Sequence, residues 1–68
     1  MDNKEAQTKL NKFGVGQLVN LTGYFDFPNK QTEREEKIVE INADSVVIER
    51  PTASSPETLQ YSAITFIM

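Results

Sequence analysis

The chain has 68 residues, no cysteine and no histidine, and ten acidic against seven basic residues for a formal charge of −3. That length holds one core and excludes a second domain, and the missing thiols and imidazoles exclude a disulfide framework and a zinc site built from the usual donors. Mild acidity argues against non-specific nucleic-acid binding, which needs a basic excess, and no apolar run approaches the roughly 20 residues that cross a bilayer. With no apolar leader at Met1–Gln7 and no cysteine, the expected address is the cytoplasm.

Residues 2–13 read as one short helix, because Ala6, Leu10 and Phe13 recur at spacings of four and three and share a face. Asp2 and Glu5 stand three apart like a capping box, Lys9 and Lys12 suit the last turn, and Gly14 can end it. A helix of this length is marginal alone and must dock or fray. The organisation expected is a helix over residues 1–13 and a single small barrel domain over 14–68.

From Gln17 to Phe27 the period changes to two. Val19, Leu21, Phe25 and Phe27 fall on one face with Gly23, and Asn20, Thr22 and Asp26 on the other. Gly23 inside such a strand suggests a bulge or sharp bend, and Pro28-Asn29-Lys30-Gln31 breaks the run. Glu36–Ile41 and Ser45–Arg50 then read as a hairpin about Asn42-Ala43-Asp44, whose Asn and Asp tolerate the left-handed conformation of a three-residue loop. Pro51 ends it, Thr52-Ala53-Ser54-Ser55-Pro56 is a polar connector, Thr58–Ser62 puts Leu59 and Tyr61 inward, and Ile64–Met68 puts Ile64 and Phe66 inward. A short helix followed by about five short strands is mainly β, and closure into a small barrel would hide the edges.

This order of elements resembles the SH3-like small barrels and, among them, the Sm-like proteins. The resemblance rests on Lys37–Glu49, which is similar to their central hairpin, and on Leu59–Ile67, which is similar to the strand, 3₁₀ turn and strand that complete their barrel. It implies a five-stranded SH3-like fold and raises RNA binding. Bacterial Sm-like proteins carry a Tyr-Lys-His segment whose basic groups face RNA; Tyr61, Ser62 and Ala63 stand at those positions, and Tyr24–Glu35 is longer than the family's first loop.

Catalysis has little to draw on, with no histidine base, no thiol and no glycine-rich phosphate loop. Gly14-Val15-Gly16 precedes a strand and reads as a joint, and Glu33, Glu35 and Glu36, with Arg34 among them, read as a solvated loop or edge. No enzyme, cofactor or metal ion is expected. Tyr24-Phe25-Asp26-Phe27-Pro28-Asn29-Lys30 sets aromatics and a base beside a turn, where stacking and charge can serve recognition. The candidate contact residues are Tyr24, Phe27, Lys30, Arg34 and Tyr61, with period two sending Tyr61 toward the core and its hydroxyl to the rim. The leading expectation is a protein-binding or self-assembling module. The alternatives are an Sm-like RNA-binding protein using Tyr24, Lys30 and Arg34, and a mobile-element protein that binds a host protein.

Overall fold

The computed structural model describes residues 1–52 and 55–68. Asp2 starts the helix: it stands outside helical geometry at φ −58° and ψ 141°, and its carboxylate accepts the Lys4 N–H, satisfying one of the donors that a helix start leaves free. Glu5 does not reach back to complete a capping box and instead pairs with Lys9 one turn on, at 3.3 Å. The helix, α1, runs Asn3–Phe13 and ends at Gly14, whose φ of 93° is open to glycine, with its N–H donating to the Leu10 carbonyl.

The strands are β1 (Leu18–Phe27), β2 (Lys30–Ile41), β3 (Ser45–Glu49), β4 (Pro56–Gln60) and β5 (Ile64–Ile67), with a 3₁₀ turn at Tyr61–Ala63 before β5. They form one antiparallel sheet in the order β4-β3-β2-β1-β5. The fold is mainly β, as expected, but the sheet is not closed: β4 and β5 are its two edges. Part of the opening is covered by α1, which lies against β2, β5 and the 3₁₀ turn and buries Ala6 and Leu10 in the core with Val19, Leu21, Ile38, Val46, Ile48, Leu59, Tyr61, Ile64 and Ile67.

Several expectations are corrected by local geometry. Pro28 and Asn29 form a two-residue turn between paired Phe27 and Lys30, so the long loop expected after Tyr24 is a hairpin arm. Among the described residues no non-glycine has positive φ, so this turn is not of the primed type. Pro28 fits its first central position because proline's fixed φ suits it and its missing N–H lies outside the ladder. Residues 42–44 likewise avoid the left-handed region; the loop is held by Asn42 N–H to Ser45 carbonyl, at 2.8 Å. Phe13 is exposed because α1 docks through its first two turns. Of the polar connector, Ala53 and Ser54 lie outside the described residues.

Gly23 explains why Phe27 and Phe66 do not point inward. The pairing of β1 shifts beside Gly23 on both sides, toward β2 and toward β5. The shift places Ile67 opposite Leu21 on the inner face and Phe66 opposite Thr22 on the outer one, so Ile67 takes the core position expected of Phe66. A Cβ on Gly23 would overlap the Ala63 carbonyl oxygen and approach a ring carbon of Phe25 to 2.8 Å. Gly23→Ala is therefore expected to cost about 1–3 kcal/mol, since backbone must move to make room. Urea denaturation measures this, and unchanged stability would refute the close approach.

Candidate functional site

Two-residue pairing at the tip makes β1 and β2 an arm, and its outer side carries Tyr24 and Phe27, which are 41% and 51% exposed. Lys30, next to the turn, sets its ammonium 5.8 Å from the centre of the Phe27 ring, within the range of a cation–π contact. An exposed aromatic ring and a cation thus share the tip of the hairpin, with the exposed Tyr24 farther back along β1.

The inner side of the arm is ionic. Arg34 lies opposite Leu21, and Glu36 opposite Val19, on the face that β2 turns to the core. Arg34 is only 8% exposed and Glu36 is wholly buried. The Arg34 guanidinium donates from Nε to Glu36 Oε1 at 2.6 Å, from Nη1 to Asp26 Oδ1 at 3.1 Å and from Nη2 to Glu57 Oε1 at 3.3 Å. Arg50 approaches the same Glu36 oxygen at 3.5 Å and the same Asp26 oxygen at 3.9 Å. The half-buried Phe25 ring lies 5.0 Å from the guanidinium carbon of Arg34. One cation therefore joins β1, β2 and β4, and three carboxylates against two guanidiniums leave one negative charge. Glu36 Oε2 has no hydrogen-bond partner among the described residues.

These contacts move two proton equilibria. The Thr32 hydroxyl, donating to Asp26 at 2.9 Å, and then Arg34 and Arg50 hold the Asp26 carboxyl below its ordinary value against a smaller opposing effect of burial. Burial by itself would weaken Arg34's hold on its proton, but Glu36, Glu57 and Asp26 outweigh it and raise the pKa.

Of the five candidate contact residues, then, Phe27 and Lys30 lie together at the hairpin tip, Tyr24 is exposed three residues earlier on β1, and two are turned inward. Arg34 is enclosed by carboxylates. Tyr61 is a core residue whose hydroxyl donates to the Asn42 carbonyl at 2.7 Å, and burial raises its pKa. The expected solvated cluster is also split, with Glu33 and Glu35 outside and Glu36 inside. Counting back by two from Ile38 gives Glu36 and Arg34, the one sequence signal that could have found the ionic site. Among the described residues there is no pocket and no group of acidic side chains placed to hold a metal ion. Compared with protein-family models, curated proteins and solved structures, the chain matches none.

Removing Arg34 alone leaves the buried Glu36 with only the more exposed Arg50, at 3.5 Å, to offset its charge. Because Arg50 stays within 3.5 Å of Glu36, Arg34→Leu is expected to cost about 2–4 kcal/mol, less than a wholly unpaired buried charge, and adding Glu36→Leu to recover much of that loss; chemical denaturation of both variants reads the difference. Because Asp26's folded pKa lies below its unfolded value of 3.8, its contribution is complete well above that value and disappears as the pH falls through the folded pKa. Stability measured from about pH 5 to about pH 2 should fall less steeply in Asp26→Asn than in the parent.

Proposed function

We propose that this chain is a non-enzymatic binding module with an SH3-like barrel, docking on a protein partner through the tip of its β1–β2 hairpin. The observation that carries this reading is the exposed cluster of Tyr24, Phe27 and Lys30 on an arm whose base is clamped by Arg34. Aromatic residues with a neighbouring cation supply much of the energy of protein interfaces when they are held ready. The SH3-like assignment is supported by the chain order of hairpins, 3₁₀ turn and final strand. The lack of histidine and cysteine in the sequence favours binding over catalysis.

The Sm-like RNA reading relies on Tyr24, Lys30 and Arg34. With Arg34 held by three carboxylates, and with Glu33 and Glu35 exposed on the same arm, phosphate has little cationic surface to meet, so a protein partner is preferred. A host protein bound by a mobile-element product would be one such partner.

Affinity capture from lysate with the parent chain and with a Tyr24→Ser/Phe27→Ser/Lys30→Glu variant tests this. The expected result is a protein captured by the parent and lost by the variant, each aromatic change alone weakening binding by about 10-fold or more. Equal capture by both would place the contact elsewhere. Single-stranded RNA titrated at two salt concentrations would overturn the protein reading if it bound tightly with a steep salt dependence.

A further inference from the structure

The outer face of the sheet, away from α1 and the core, sorts its side chains into columns. Cross-strand register puts Phe66, Thr22 and Glu33 in one row from β5 through β1 to β2, and Met68, Asn20 and Glu35 in the next. Phe66 and Met68 are 49% and 58% exposed, Glu33 and Glu35 are exposed, and Asn20 and Thr22 between them are half-buried. Two short polar side chains thus form a floor, with an apolar wall on β5 and an acidic wall on β2.

The two ends of this shallow trough differ. At one end the Thr65 hydroxyl donates to the Gln31 side-chain carbonyl, a link that reaches across β1 beside Gly23. At the other, Leu18 is exposed and continues the apolar side, with Lys37 next to it on β2 and Glu49 beyond on β3. Four residues of β1 separate Thr22 from Leu18, about 13 Å at the rise of an extended strand.

The chemistry of the walls selects an occupant. An exposed apolar patch rimmed by charge marks a contact surface, and aromatic residues and methionine are enriched in protein interfaces. Within these rows Glu33, Glu35 and Glu49 stand against Lys37 alone, three carboxylates to one ammonium. Such a face repels phosphate backbones and anionic lipid headgroups, and stacking it on its own copy would set like charges together. It attracts lysine and arginine. The walls lie two strands apart, about 10 Å, which is the width of an α-helix. Along each wall, neighbouring side chains are two strand residues apart, about 6.6 Å, near the roughly 6 Å between positions i and i+4 of a helix.

We propose that the outer face of β5, β1 and β2 docks an amphipathic helical segment of another protein, about two to three turns long. Its apolar stripe lies on Phe66, Met68 and Leu18, and lysine or arginine at an i, i+4 spacing meets Glu33 and Glu35. Neither the residues nor the chemistry are those of the hairpin tip, so this inference does not depend on docking there. The contact is smaller than the roughly 800 Å² per partner of a stable interface; its affinity is modest and weakens as salt screens the carboxylates.

The probe is an alanine-based helical peptide of about 14 residues, with leucines along one stripe and lysines at i, i+4 along the next, titrated into the isotope-labelled full chain and followed by NMR. Amide shifts are expected to concentrate at Asn20, Thr22, Glu33, Glu35, Phe66 and Met68, with a dissociation constant below about 100 µM at low salt. Replacing the peptide's lysines by glutamate, or its leucines by serine, should weaken binding by about 10-fold or more. Phe66→Ser and, separately, Glu33→Gln/Glu35→Gln should each weaken it by about 5-fold or more with unchanged circular dichroism, whereas Tyr24→Ser/Phe27→Ser should bind within about 2-fold of the parent. No binding at about 1 mM peptide, shifts centred on Tyr24, Phe27 and Lys30, equal binding of the glutamate peptide, or full binding by both the Phe66 and the Glu33/Glu35 variants would each overturn the inference. So would the same shifts produced by phosphatidylserine vesicles, or by raising the concentration of the chain alone.

Discussion

The interaction on which the rest of the structure leans is the guanidinium of Arg34, enclosed by Asp26, Glu36 and Glu57. It stands where an apolar side chain would ordinarily continue the core toward the hairpin. A domain this small buries only about 60% of its unfolded surface and has few large side chains to extend packing that far. An ion cluster is not the most stabilising filling, because taking the charges out of water offsets most of their attraction, and well-packed apolar groups often do as well or better. It does supply direction. Three N–H donors in a rigid plane meet three carboxylates in one arrangement, and that arrangement fixes β1, β2 and β4 relative to one another.

The hairpin and the sheet opening both follow from that placement. With Arg34 and Glu36 facing inward, alternation along β2 sends Glu33 and Glu35 outward, and the arm acquires an acidic outer flank near its aromatic tip. Phe25, against the guanidinium, is withdrawn from the surface that Tyr24 and Phe27 occupy. Glu57 holds the edge strand β4 toward β2 without the backbone ladder that a closed barrel would use. At the other edge β5 is tied to β1 alone, and α1 and the 3₁₀ turn complete the enclosure.

Much of this was legible where apolar spacing had no competitor. Ala6 and Leu10 at helical spacing, Val19 and Leu21 in alternation, and the Ile38–Ile48 pairing about residues 42–44 all lie as their periods require. Gly23 was readable as a bend because a strand position without a side chain adds nothing to packing and is kept where backbone must turn or approach closely. The candidate site was half legible. Tyr24, Phe27 and Lys30 are exposed on the arm, with Phe27 and Lys30 paired at its tip, but a run of charges such as Glu33–Lys37 hides its own alternation, because hydropathy treats every member as surface. Burial of Arg34 depends on Asp26 and Glu57, eight residues before it and twenty-three after, which local spacing does not show. Phe66 and Ile67 exchanged roles for a related reason: the register of β5 is set by the 3₁₀ turn and by the shift at Gly23, and a one-residue slip moves every side chain to the other face.

The bend at Gly23 also separates the two surfaces available for contact. Before it, β1 pairs with β5 and carries Leu18 toward the stripe formed by Phe66 and Met68; after it, β1 pairs with β2 alone and carries Tyr24 and Phe27 out along the arm. One continuous strand thus contributes both to the exposed apolar stripe beside β5 and to the exposed aromatic residues of the hairpin arm. The ionic clamp secures the tip from the inner side, while the shift in pairing at Gly23 and Thr65 interrupts the regular ladder at the β5 edge.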